Sequence, residues 1–181
     1  MVQVARGLAA HLARHPLCVR TVDAQVKAMI RSINCPGGPW YCACSLSRDI
    51  GVMLTTNEHI RKLNNQYRKK DKPTDILSFP FHKITEPGRF PSVRFKDERY
   101  LGDIYISLPY VQSQCEDPDN EDVTSLKERM PVLLAHGICH LLGYDHETDE
   151  DYEHMTKAEE YILERFERFL HVNTRSNTKN V

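Results

Sequence analysis

Apolar residues recur along this chain with two different periods, and the switches between them outline the fold. A helical period links Val22, Val26, Met29, Ile30 and Ile33, which predicts a helix over residues 21–33 with Thr21 as its cap. Pro36-Gly37-Gly38-Pro39 closes it. Strand-like runs follow at 40–46 and 50–54, joined by the polar Ser47-Arg48-Asp49. Thr55-x-x-Glu58 reads as a capping box that opens a helix with Ile60, Leu63 and Tyr67 inward. Asp71-Lys-Pro73 breaks that helix, and residues 75–79 form a third strand stopped by Pro80. Residues 82–99 carry clustered charges, Pro87-Gly88 and Pro91, and read as a long surface loop, the kind that is usually functional or mobile.

Residues 101–107 are a fourth strand, 109–115 a short helix, and the acidic 116–122 a loop. A helix over 123–142 contains Pro131, where a kink or interruption is expected. The last helix spans 148–170, capped by Thr148, with Met155, Ala158, Ile162, Phe166 and Phe169 as its buried stripe. Beyond residue 172 the tail is polar and expected to be disordered. With no repeat and no linker visible, these elements predict one α+β domain over residues 1–171. Its small mixed sheet of about four strands carries a histidine-bearing helix on one face.

Composition narrows the partners. The formal net charge of −1 provides no global field, so a nucleic acid would have to bind a local basic patch. The cysteines at 18, 35, 42, 44, 115 and 139 form no Cys-x-x-Cys pair, which implies free thiols in a reducing compartment. No apolar run approaches the ~18–20 residues of a membrane span, so no membrane partner is expected. A secretory signal is not evident in the first twenty residues. Arg6, Arg14 and Arg20, with no acid before Asp23, suit an organelle-targeting peptide, while Val2 and Val4 suit a first strand instead.

The chemistry concentrates in His136-Gly-Ile-Cys-His140-Leu-Leu-Gly-Tyr-Asp-His146. Histidines at i and i+4 lie on one helix face, about 40° apart and roughly 6 Å along the axis. Gly143 stops the helix, and the returning chain brings in His146 as a third nitrogen. Three protein ligands leave a fourth tetrahedral position open, as in catalytic rather than structural zinc sites. His11 and His15 share the i, i+4 spacing but lack a third ligand at a turn, and read as structural or surface residues. Cys139 reads as core. Asp145 either orients a ligand histidine or caps the turn. The spacing resembles that of metzincin proteases and implies a zincin-like helix, except that Gly137 stands where their glutamate base does, which counts against peptide hydrolysis and leaves room beside the metal.

This signature resembles that of the YbeY family, metal-dependent single-strand endoribonucleases of ribosomal RNA maturation. Two further blocks carry the resemblance: Leu63-Asn-x-x-Tyr67-Arg68 with Asp71-Lys-x-Thr74-Asp75-Ile-Leu-Ser78-Phe-Pro80, and Leu101-Gly102-Asp103-Ile104. Cys139 and the long 82–99 loop look more like the eukaryotic branch. The resemblance implies one Zn2+ held by His136, His140 and His146, and a functional arginine at Arg68. It also implies single-stranded and ribosomal RNA as substrate, small ribosomal subunit proteins as partners, and the mitochondrial matrix if eukaryotic, otherwise the cytoplasm. Arg68 suits the role, because a guanidinium grips phosphate in a planar, bidentate way. Arg61, Lys62, Tyr67, Lys69 and Lys70 surround it as RNA-binding candidates. Arg89, Phe90, Arg94, Phe95, Lys96 and Arg99 form a second basic and aromatic stretch. Two alternatives stay open: an RNA- or ribosome-binding assembly factor with a mainly structural zinc, and a metallopeptidase.

Overall fold

The computed structural model describes residues 1–14, 19–33, 40, 48–90, 95–117 and 125–177. Four strands, β1 (Val2–Val4), β2 (Asp49–Thr55), β3 (Ile76–Pro80) and β4 (Tyr100–Ser107), form one sheet in the order β1-β2-β4-β3. β1, β2 and β4 run parallel, and β3 pairs antiparallel with β4 at the edge. The mixed sheet was expected, and the open choice at its first strand is decided. Val2 and Val4 belong to a strand, and the strand expected at 40–46 lies outside the described residues apart from Trp40, which sits in a turn. Pro80 belongs to β3 rather than stopping it, which an edge strand tolerates because one side of its backbone needs no ladder partner.

Alternation along β4 decides what covers each face. Ile104 and Ile106 are fully buried, whereas Asp103 and Tyr105, which alternate with them, are only half-buried. The helices are α1 (Ala9–Arg14), α2 (Val19–Ile33), α3 (Asn57–Arg68), α4 (Leu108–Cys115), α5 (Leu126–Leu141) and α6 (Asp149–Asn177). α5 packs on β3 and β4, with α2 and α6 packed against it in turn. α3 lies over the opposite face, where His59 and Tyr67 meet Tyr105 and Phe79 edge to face. The helical stripe of α2 is buried as expected, and so are Met155, Ala158, Ile162 and Phe166 of α6.

Four boundaries moved for local reasons. α2 already begins at Val19, so Thr21 is inside it rather than its cap. Thr56, not Thr55, caps α3, accepting from the His59 backbone N–H, while Thr55 ends β2 buried, with its Oγ1 2.7 Å from His59 Nδ1. α5 is capped by Ser125 and runs unbroken through Pro131. α6, capped by Thr148 as expected, continues past residue 170 to Asn177, into the segment read as a disordered tail. Tyr67 is 59% exposed rather than inward, because it leans on the sheet's outer face instead of entering the core.

The 82–99 segment is not simply a surface loop. Gly88 N–H donates to Leu142 O at 2.8 Å, and Ile84 packs against Gly143, so its first half braces the end of α5. A single 3-10 turn at Lys96–Arg99 leads into β4. No helix among the described residues is long and apolar enough to cross a membrane.

Candidate metal centre

The end of α5 is built to hold two imidazoles still and to turn the chain back. Gly143 adopts φ +86°, a conformation that L side chains rarely adopt. Its N–H donates to His140 O at 3.1 Å, and the Tyr144 N–H to Cys139 O at 3.0 Å, a Schellman stop. Tyr144 is then pinned from outside, since Trp40 Nε1 donates to its hydroxyl at 2.7 Å. His146 follows on the returning chain. One ligand atom from each of His136, His140 and His146 lies within 4.8 Å of the others, so the group could hold a metal ion.

Hydrogen bonds to other parts of the fold set which nitrogens face the site. His136 Nδ1 is 2.8 Å from Glu159 Oε1 on α6, and His140 Nδ1 is 3.1 Å from Tyr144 O. Donation through both Nδ1 protons leaves two Nε2 lone pairs facing each other, only 3.1 Å apart. Two nitrogens at about 2.0–2.1 Å from one tetrahedral zinc would lie roughly 3.3–3.4 Å apart, so the spacing and donor set fit such an ion. Burial, reinforced by the neighbouring His136 and His146, lowers the His140 pKa to about 4. That ring is therefore neutral near pH 7, the form that ligates a metal.

One open alternative is decided here and one expectation is corrected. The orienting carboxylate is Glu159, while Asp145 Oδ1 accepts from the His146 backbone N–H at 2.8 Å and so holds the turn. Gly137 does not leave room beside the metal. A Cβ there would meet Ile104 and Ile76 at 2.9 Å, so its side faces the sheet and lets α5 pack close. Cys139 is core as expected, fully buried, with burial pushing its thiol pKa well up. His15 lies outside the described residues.

The three histidines line a cleft of about 700 Å³, whose walls include Arg68, Thr74, Asp75, Ser78, Arg129 and Glu159. Arg68 comes from the last turn of α3, and its guanidinium makes no hydrogen bond or ion pair with a described residue. Its neighbours in the basic run do not join it. Arg61 forms a two-pronged pair with Asp71, at 2.8 and 2.7 Å. Lys69 donates to Gln66 O at 3.1 Å; Lys62, Lys69 and Lys70 are exposed, and neither they nor Tyr67 line the cleft. In the second basic stretch Arg89 pairs with Glu86, and Phe90 lies under the Arg48 guanidinium at 4.2 Å. Phe95 is 70% exposed, Arg99 is half-buried, and Arg94 lies outside the described residues.

Glu159 and Arg129 were not found from the sequence, although each leaves a trace there. Glu159 is an acid at i+4 from Met155 and i−3 from Ile162, at the edge of a buried stripe. Arg129 stands seven residues before His136, two turns along the same helix.

Fold and site together define a class: α+β proteins with a tripod of histidines, two on a helix and one on the chain returning from it, open to a cleft over a mixed sheet. Comparison with known proteins narrows it. The family model described as endoribonuclease YbeY matches residues 21–167. A human endoribonuclease YbeY is 38% identical over 120 residues, covering 66% of this chain and 69% of its own. The protein of that name from Sulfurihydrogenibium is 48% identical over 103 residues, covering 57% and 59%. The solution structure of TM1509 from Thermotoga maritima superposes with a TM-score of 0.52 at 21% identity, over 96% of this chain and 93% of that one, a likeness of fold. This chain belongs to the endoribonuclease YbeY family.

Proposed function

We propose that the protein is a zinc-dependent endoribonuclease that cleaves single-stranded RNA in ribosomal RNA maturation. The observation that carries this reading is the tripod itself, with two imidazoles fixed by Glu159 and the Tyr144 carbonyl and their Nε2 atoms converging beside an uncommitted arginine. His136, His140 and His146 would hold the ion, which when bound supplies Lewis-acid polarisation of a phosphoryl oxygen and acidifies water. The chain's own residues do the rest. Glu159 keeps the His136 ring in one tautomer and orientation and makes it a more basic ligand. Arg68 meets the scissile phosphate and neutralises the charge that grows on its oxygens as the bond breaks.

Ribosomal RNA as substrate, small ribosomal subunit proteins as partners and a mitochondrial matrix location belong to the same proposal, supported by the family and the human relative. The test pairs elemental metal analysis with cleavage of a single-stranded RNA. Wild type is expected to carry stoichiometric zinc and to cut; His136→Ala is expected to lose both while keeping its fold. A His136→Ala protein that unfolds, alongside a His146→Ala protein that still cuts, would establish the metal as structural.

A further inference from the structure

We infer that Arg129 forms a second phosphate position in the cleft, one that grips the RNA backbone away from the scissile bond and is weakened by Asp75. This rests on the ribonuclease reading and extends it along the strand. Arg129 lies on α5 seven residues before His136, so it projects from nearly the same side of the helix, roughly 10 Å further along the axis. It lines the same cleft as Arg68 and the histidines.

Its guanidinium is poorly satisfied. The nearest carboxylate oxygen, Asp75 Oδ2, is 3.8 Å from Nη2, beyond hydrogen-bond reach. Nε is buried without a partner, and the side chain donates to no described residue. Asp75 is held by its two chain neighbours, since its Oδ1 accepts from Thr74 Oγ1 at 3.0 Å and from the Ile76 N–H at 2.9 Å. Both side chains are mostly buried, 28% and 22% exposed, so unmet donors there are costly. A phosphate oxygen would meet them with short, charge-assisted bonds. Position adds to this, because Arg129 sits near the N-terminal end of α5, where the helix dipole disfavours a cation and favours an anion beside it. A mere strut between α5 and β3 would be expected to close to a bonded pair.

The test is binding of a single-stranded 2′-O-methyl RNA to the full, zinc-loaded chain at several salt concentrations, with strand integrity checked by gel. Each phosphate contact on a single strand contributes about 0.7 to the slope of log affinity against log salt. Arg129→Gln is expected to reduce that slope by about 0.7, and Arg129→Lys to retain most of it. Asp75→Asn is expected to tighten binding, by up to about fivefold for a partly exposed charge. An unchanged slope in Arg129→Gln, or Asp75→Asn binding no tighter than wild type, would overturn the inference and leave the ribonuclease reading standing. Should Arg129→Gln fail to fold, the lysine variant and Asp75→Asn decide alone. No binding by wild type would remove the reading underneath, and this inference with it.

Discussion

Two helix ends carry nearly all the residues that the sequence singles out, and they behave differently. α5 stops at Gly143 in a left-handed conformation, and α3 stops at Lys69, also left-handed at φ +58°. Behind the first stop, each imidazole on the helix is hydrogen-bonded to a group from outside it: Glu159 on α6, or the Tyr144 carbonyl on the returning chain. Behind the second, the cations are exposed, Arg61 is neutralised by Asp71, and only Arg68 enters the cleft. Density of charge along the chain is therefore a poor guide to a site. At the tripod the two rings are held by groups outside their own helix, which fixes a tautomer and a direction that solvent would otherwise scramble.

The largest way to break this comparison is Arg68→Ala. If Arg68 is the functional exception at its helix end, RNA cleavage falls about 10²–10³-fold, the usual cost of losing one preorganised transition-state donor. Zinc content and thermal stability stay at wild-type levels. Cleavage at the wild-type rate would place Arg68 with its solvated neighbours.

Next is the link between α6 and the tripod. Glu159→Ala is expected to weaken zinc binding or cleavage about 10–100-fold, measured by competition with a chelator, since outer partners of ligand histidines carry effects of that size. Glu159→Gln, which can still accept from Nδ1–H, should recover part of the loss. Equal defects in the two variants would mean that charge, rather than orientation, is what Glu159 contributes.

A smaller and more global effect follows from His140. Its folded pKa is lowered, so between about pH 6.5 and 4 the unfolded chain binds a proton that the folded chain does not. The metal-free protein should therefore lose stability as pH falls through that window, and His140→Gln should flatten the profile. A denaturant midpoint that is level across the window would contradict the burial assigned to that ring.

The smallest effect is expected from Arg61→Ala at the other helix end. Its pair with Asp71 is exposed and screened by salt, so thermal stability and RNA cleavage should both stay close to wild type. A loss of cleavage rivalling Arg68→Ala would return the whole basic run to the site.

Local pattern by itself determined much of this protein. The stripes of α2 and α6, the strand periods of β2 and β4, the glycine stop and the i, i+4 spacing that places two histidines on one face are all encoded within a few residues. That is why they were legible. Only the tertiary structure decided that Val2–Val4 pairs beside β2, that Gly137 faces Ile76 and Ile104 rather than the ion, and that Glu159 rather than Asp145 orients His136. It also decided that Arg68 and Arg129, sixty-one residues apart, share one cleft. Those outcomes depend on how helices settle on a sheet. Periodicity says which face of an element is buried, but not which distant side chain it will meet there.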